Sequence, residues 1–270
     1  MRRFVFSITG FILLTFLFLV SCRKESDSLD EGLLFYYPFN GNVKDAGGNG
    51  NHGVDYSSGN YVAGKIGKAL NFNGTTDYVQ LSKSIYSGDG LTFSFWIKSR
   101  GASGSENNGV IIGKYNMSGN NRCFIVYSFG ANETRADNRL SAAFYKEGFS
   151  SGFHDNVKSY FEPAELLAFP SNPSLWTISD PKRIETGVWT HCVINVTEKN
   201  LEVWLNGSLC VSKQREYSSY YDNSYESVYI GNNPAMGGGI NNHFNGVIDE
   251  LRIYNRELTH EEINKLSSQR

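Results

Sequence analysis

The sequence is short of proline (6 in 270 residues), methionine (3) and cysteine (4), and only 19 % of it is charged. So little proline excludes a collagen-like or proline-rich chain. Low charge together with 14 % aromatic residues excludes a disordered one. Basic residues do not outnumber acidic ones, 25 against 27, so there is no positive surplus to hold a phosphate backbone and no nucleic-acid partner is expected. No Gly-x-Ser-x-Gly elbow, phosphate loop or His-Glu-x-x-His motif occurs. The five histidines, His52, His154, His191, His243 and His260, show no metal-ligand spacing. What is abundant is glycine (28), phenylalanine (18) and tyrosine (16), a composition that leans towards all-β.

The N-terminus reads as an address. Arg2 and Arg3 precede an uncharged, largely apolar run over residues 4–20, followed by Ser21 and Cys22. A basic start, an apolar middle and small residues at the end describe a secretory signal; an uncleaved membrane anchor is the alternative. Leu19-Val20-Ser21-Cys22 resembles the bacterial lipobox, which implies that Cys22 is lipidated and becomes the first residue of the mature chain. Arg23-Lys24-Glu25-Ser26-Asp27 resembles the export signal of Bacteroidota surface lipoproteins. The expected organisation is a signal peptide over 1–21, a tether over 22–32 and one domain over 33–270, displayed on the outer membrane through the lipid at Cys22. Removing Arg2 and Arg3 leaves 23 basic against 27 acidic residues, a charge of −4, which gives no electrostatic pull towards an anionic membrane.

Cys123, Cys192 and Cys210 then remain. If the segments around Cys192 and Cys210 flank a central strand, the two cysteines lie about 9.6 Å apart at ~4.8 Å per strand. That exceeds the roughly 7 Å limit for a disulfide, so three buried free thiols are predicted.

Period-two alternation and turn signals predict strands over 33–39, 69–72, 78–81, 91–98, 110–114, 123–129, 140–145, 189–196, 201–205, 209–213, 227–230 and 244–254. Leu91, Phe93, Phe95 and Ile97 share one face, and Lys199-Asn200 and Asn206-Gly207 mark two hairpins. A short helix is expected over 259–267, with Thr259 as its cap. Many short strands without alternating helices argue for an antiparallel two-sheet sandwich. Residues 146–188 break the regular spacing and read as a long, aromatic-rich insertion.

Several segments together resemble the laminin-G-like, or concanavalin A-like lectin/glucanase, jelly-roll family. They are Phe35-Tyr-Tyr-Pro-Phe-Asn-Gly-Asn-Val-Lys-Asp45, Asn49-Gly-Asn-His-Gly53, Gly64-Lys-Ile-Gly-Lys-Ala-Leu-Asn-Phe-Asn-Gly74, Asp77-Tyr-Val79, Trp189-Thr-His191, Trp204-Leu-Asn-Gly207, Tyr229-Ile-Gly231 and Phe244-Asn-Gly-Val-Ile-Asp-Glu-Leu-Arg-Ile-Tyr254. The resemblance implies a jelly-roll sandwich and covers lectin-like modules, enzyme-appended modules and some catalytic members.

Strict alternation through 244–254 puts Val247, Asp249, Leu251 and Ile253 on one face, so Asp249 needs hydrogen-bond donors or a cation among apolar neighbours. The loop 40–53 is rich in oxygen ligands suited to calcium, and the resemblance implies a structural Ca2+ between that loop and the Ile-Asp-Glu strand. The candidate metal residues are Asp45 and Asp249 as carboxylates, with Asn42, Asn51 and the carbonyl near His52. The alternative is that Asp249 accepts backbone N–H bonds.

Glycosidases need two carboxyls roughly 5–5.5 or 6.5–9.5 Å apart. No same-strand pair of alternating carboxylates is present, so no catalytic residue is assigned. Binding has more to draw on. A tyrosine ring can stack on a sugar while its hydroxyl bonds the sugar's hydroxyls. Tyr217, Tyr220, Tyr221 and Tyr225 in one segment, with Tyr160 and Trp176 in the insertion, are the candidates, chosen on residue type alone. The expected function is non-catalytic glycan (polysaccharide) binding at the cell surface. The alternatives are a glycoside hydrolase or polysaccharide lyase of the same fold, or a protein-interaction module.

Overall fold

A computed structural model describes residues 29–81, 85, 90–101, 108–116, 121–129, 139–144, 184–214, 226–234 and 243–270. Fourteen strands and one helix are described. The strands are β1 (Leu33–Tyr37), β2 (Gly53–Asp55), β3 (Tyr61–Ala63), β4 (Lys68–Asn73), β5 (Val79–Leu81), β6 (Leu91–Ser99), β7 (Asn108–Asn116), β8 (Asn121–Phe129), β9 (Arg139–Phe144), β10 (Thr190–Val196), β11 (Asn200–Leu205), β12 (Ser208–Gln214), β13 (Val228–Ile230) and β14 (Asn245–Tyr254). The helix, α1, spans His260–Ser267.

The strands form two antiparallel sheets. The larger runs β12-β11-β10-β6-β14-β4-β3, with β1 also paired to β14. The smaller runs β2-β5-β13-β7-β8-β9. Between them lies one apolar layer, in which Phe93 of β6 meets Phe124 of β8 and Phe144 of β9 at ring-centroid distances of 5.0 and 6.3 Å. A smaller cluster, Val193, Trp204, Tyr254, Leu258, Ile263 and Leu266, seats α1 against the opposite side of the larger sheet. Thr259 caps α1 as expected: its side chain accepts from Glu262 N–H, while the Glu262 carboxylate accepts from Thr259 N–H. The Asn206-Gly207 turn takes φ of 50° and 79°, the two positive angles that a tight type I′ hairpin requires.

Four expectations change. The first strand ends at Tyr37 because Phe39 turns to φ 49°. β2 and β3, each three residues long, carry too little alternation to be read from sequence. Cys123 and Cys192 are buried free thiols, with β10 and β12 on either side of β11 as expected, but Cys210 is only half-buried on edge strand β12.

The fourth change concerns β14. Its register against β6 slips between Asp249 and Arg252, and Glu250 takes φ 53°. This bulge reverses the alternation. Ile248, Leu251 and Ile253 face the inter-sheet core, whereas Val247 and Asp249 lie outside that cluster, with Asp249 paired to Trp96. Val247 and Asp249 therefore do not share a face with Leu251 and Ile253.

Candidate functional site

On the smaller sheet, Val79, Leu81, Val228 and Ile230 turn inward. Alternation then turns Gln80 and Tyr229 outward, in register with Val54. Tyr56 follows β2 and Tyr78 precedes β5. The Tyr56 N–H donates to the Tyr78 carbonyl at 2.9 Å, which extends the β2–β5 ladder by one residue and sets the two rings side by side. They stack at 4.7 Å and 15°, and Tyr229 meets Tyr78 edge-on at 6.0 Å and 66°. Tyr56 is 49 % exposed and Val54 48 %. Since one face of Tyr56 lies on Tyr78, the exposed surface is its opposite face and rim.

Polar groups flank this tyrosine platform: Gln80 Nε2 donates to Ser227 Oγ at 2.9 Å, and Asn116 Nδ2 donates to Glu226 Oε1 at 3.0 Å. Asp55, opposite inward-turned Val79, faces the other way and accepts from the Tyr61 hydroxyl of β3 at 2.8 Å and from Ser57. Burial, with repulsion from the Tyr56 and Tyr229 phenols, raises the Tyr78 pKa above the ordinary phenol value, so its hydroxyl stays neutral. Chemically, the surface offers an exposed ring face beside hydroxyl, amide and carboxylate groups.

A second polar cluster occupies the outward face of the larger sheet. Arg252 donates to Glu250 Oε2 at 2.7 Å, Tyr36 OH donates to the same oxygen at 2.8 Å, and the guanidinium lies 3.9 Å from the Tyr36 ring centroid. His191 Nε2 bonds Ser94 Oγ at 3.0 Å, the His191 ring packs on Trp96 at 5.1 Å, and Lys65 Nζ sits 4.3 Å from the Trp96 ring centroid. Asp249 Oδ2 accepts from Ile66 N–H at 3.0 Å, the Lys65 N–H also donates to this carboxylate, and Oδ1 accepts from Glu250 N–H at 2.9 Å. Burial pushes Asp249 up to about 6, opposed by these N–H donors.

The candidate calcium residues are not gathered into one donor set. Asp45 Oδ1 accepts from the N–H groups of Tyr36 and Gly47, and Oδ2 from Asn51 N–H, which fastens the loop 40–53 to β1. Asn42 Oδ1 accepts from Lys44 N–H, and His52 Nδ1 accepts from Asp45 N–H. Asp249 is surrounded by N–H donors, the arrangement that satisfies a carboxylate without a cation. Oxygen remains available at Asp45 Oδ2, which takes one bond, and at Asn51 Oδ1, which is buried without a partner. Two of the five candidates therefore fit a cation. Among the described residues, no group of three or more His, Cys, Asp or Glu side chains converges as metal ligands would.

The Laminin_G_3 family, described as the concanavalin A-like lectin/glucanases superfamily, matches residues 73–264. The chain belongs to the concanavalin A-like lectin/glucanase superfamily. It is similar to domain 4 of AbnA, a GH43 extracellular arabinanase from Geobacillus stearothermophilus, in complex with arabinotriose (21 % identity, TM-score 0.59, 87 % of this chain and 98 % of that one). It is also similar to the binding domain of Paraclostridial Mosquitocidal Protein 1 (18 %, 0.64, 89 % and 52 %). A third likeness is to the binding domain of botulinum neurotoxin DC in complex with rat synaptotagmin II (14 %, 0.58, 89 % and 52 %). The chain spans about half the length of the two toxin domains it matches. Comparison with curated proteins by sequence returns no match.

For a superfamily that includes glucanases, the reachability of its polar groups matters. His191 is 1 % exposed, Asp249 0 % and Glu250 2 %, so the outward cluster of the larger sheet is sealed rather than open as a cleft. The sequence-derived ligand candidates Tyr160, Trp176, Tyr217, Tyr220, Tyr221 and Tyr225, and the lipidation candidate Cys22, lie outside the described residues. Sequence reasoning missed Tyr56, Tyr78 and Tyr229. For two of them the signal was present: Val79 and Leu81 bracket the outward parity shared by Tyr78 and Gln80, and Val228 and Ile230 bracket Tyr229.

Proposed function

We propose that the mature chain is a non-catalytic glycan-binding protein, held at a Gram-negative outer surface by a lipid on Cys22. The observation that carries this reading is the stacked Tyr56–Tyr78 pair, with Tyr56 half-exposed at the surface of the smaller sheet and hydrogen-bonding side chains beside it. A flat ring face beside hydroxyl and amide groups meets both needs of a sugar, an apolar face and a polar rim. The structural likeness to a domain described in complex with arabinotriose supports the same direction. Calcium enters only as a stabiliser of the loop 40–53, held by Asp45 and Asn51, with Asp249 left to its backbone donors.

A glycan array and polysaccharide pull-down with the mature chain, run with calcium and with EDTA, tests the proposal. Retention by at least one polysaccharide without release of sugar is expected, along with a lower melting temperature in EDTA. Retention by no glycan removes the reading, and released oligosaccharide replaces it with a hydrolase or lyase. A melting temperature indifferent to both EDTA and calcium removes the metal alone.

A further inference from the structure

We infer that the Tyr56–Tyr78–Tyr229 platform accepts uncharged polysaccharides and discriminates against uronate-bearing or sulfated ones; this rests on the glycan-binding reading above. Two independent features point the same way. The first is charge. Among the described residues, the charged side chains on β2, β5, β13 and at positions 56–59, 77–78 and 226–227 are Asp55, Asp77 and Glu226, all acidic. Asp77 is buried under bonds from Asn73 and Asp55 turns inward with Val79 towards Tyr61, which leaves Glu226 as the charge beside the platform among the described residues. Lys114, on the adjacent β7, is fully buried and offers no cation to a bound acid.

The second feature is the ring itself. An aromatic face carries the negative end of its quadrupole, so it attracts the polarised C–H groups of a neutral sugar and repels a carboxylate or sulfate. With its other face on Tyr78, Tyr56 presents that negative face to solvent. Specificity of this kind uses a repulsive element as well as an attractive one. The Gln80 amide and the Ser227 hydroxyl supply neutral hydrogen bonding beside it.

The test is affinity electrophoresis of the mature chain through gels holding a neutral polysaccharide (arabinan, xylan or mixed-linkage β-glucan) or an acidic one (polygalacturonate, chondroitin sulfate). Retardation by at least one neutral polymer is expected, changing by less than about twofold between 50 and 500 mM NaCl, because no ion pair holds the ligand. Tyr56→Ala is expected to weaken it at least about fivefold and Tyr56→Phe to keep it within about twofold, since phenylalanine retains the ring face. Tyr56 is half-exposed, so neither variant threatens the fold. Retardation only by the acidic polymers, fading with salt, overturns the charge preference while glycan binding stands. Neutral binding untouched by Tyr56→Ala moves the site off this platform. No retardation in any gel sinks both the inference and the reading beneath it.

Discussion

His191 shows how one side chain can set the acid limit of a sheet. It is 1 % exposed, its Nε2 is held by Ser94, and Arg252 and Lys65 lie close enough to disfavour a positive ring. Burial, reinforced by those two cations, pulls its pKa down to about 3. The unfolded chain takes up a proton near pH 6.5, while the folded chain refuses it until about pH 3. Stability is therefore complete above 6.5 and falls as pH drops through that window, by up to about 1.4 kcal/mol per pH unit. Urea unfolding of wild type and His191→Gln at pH 7 and pH 5 should show the wild type losing about 2 kcal/mol more than the variant. Equal losses would mean that the ring gains its proton in the folded state. Asp249 acts with the opposite sign: its raised pKa makes the ionised form costly, so its own contribution declines as pH rises through the range from about 4 to about 6.

At the scale of the element, the β3–β4 hairpin and the β14 bulge form one device. Asp249 receives the N–H groups of Lys65 and Ile66 from the hairpin turn, and Gly64 lies so close that a Cβ there would stand 2.6 Å from Asp249 Oδ2 and 2.9 Å from the Lys68 carbonyl carbon. Gly64→Ala is expected to cost about 1–3 kcal/mol, read as a lower denaturation midpoint with the slope unchanged. An unaltered midpoint would show that the turn yields freely. This device also marks the limit of legibility in the sequence. The alternation of β6 was plain because Leu91, Phe93, Phe95 and Ile97 keep strict parity over the whole strand. Val247-Ile-Asp-Glu-Leu251 reads equally regular, yet a single residue at positive φ reverses it, and nothing in its residue types announces that. The tyrosine platform was half legible. Parity turns Tyr78 and Tyr229 outward, but bringing Tyr56 beside them requires the pairing of β2 with β5, and three-residue strands carry no register signal of their own.

For the whole molecule, thiol count tests the proposed anchor and the fold together. β11 separates Cys192 on β10 from Cys210 on β12, and Cys123 lies in the other sheet. Titration of the denatured, unreduced mature protein should find three thiols if Cys22 carries the proposed lipid. Four would mean that Cys22 is unmodified, and one that two of the others are joined. The sheet order has a temporal meaning as well. β14, the last strand along the chain, is central: β6 lies on one flank, and β4 and β1 share the other. The larger sheet cannot close while residues 245–254 are missing, and its contacts join segments more than 200 residues apart, as Tyr36 and Arg252 do. Such long-range pairing makes folding slow. An emerging chain of this topology cannot complete its larger sheet until its C-terminal strand is made, a delay that would suit the export proposed above.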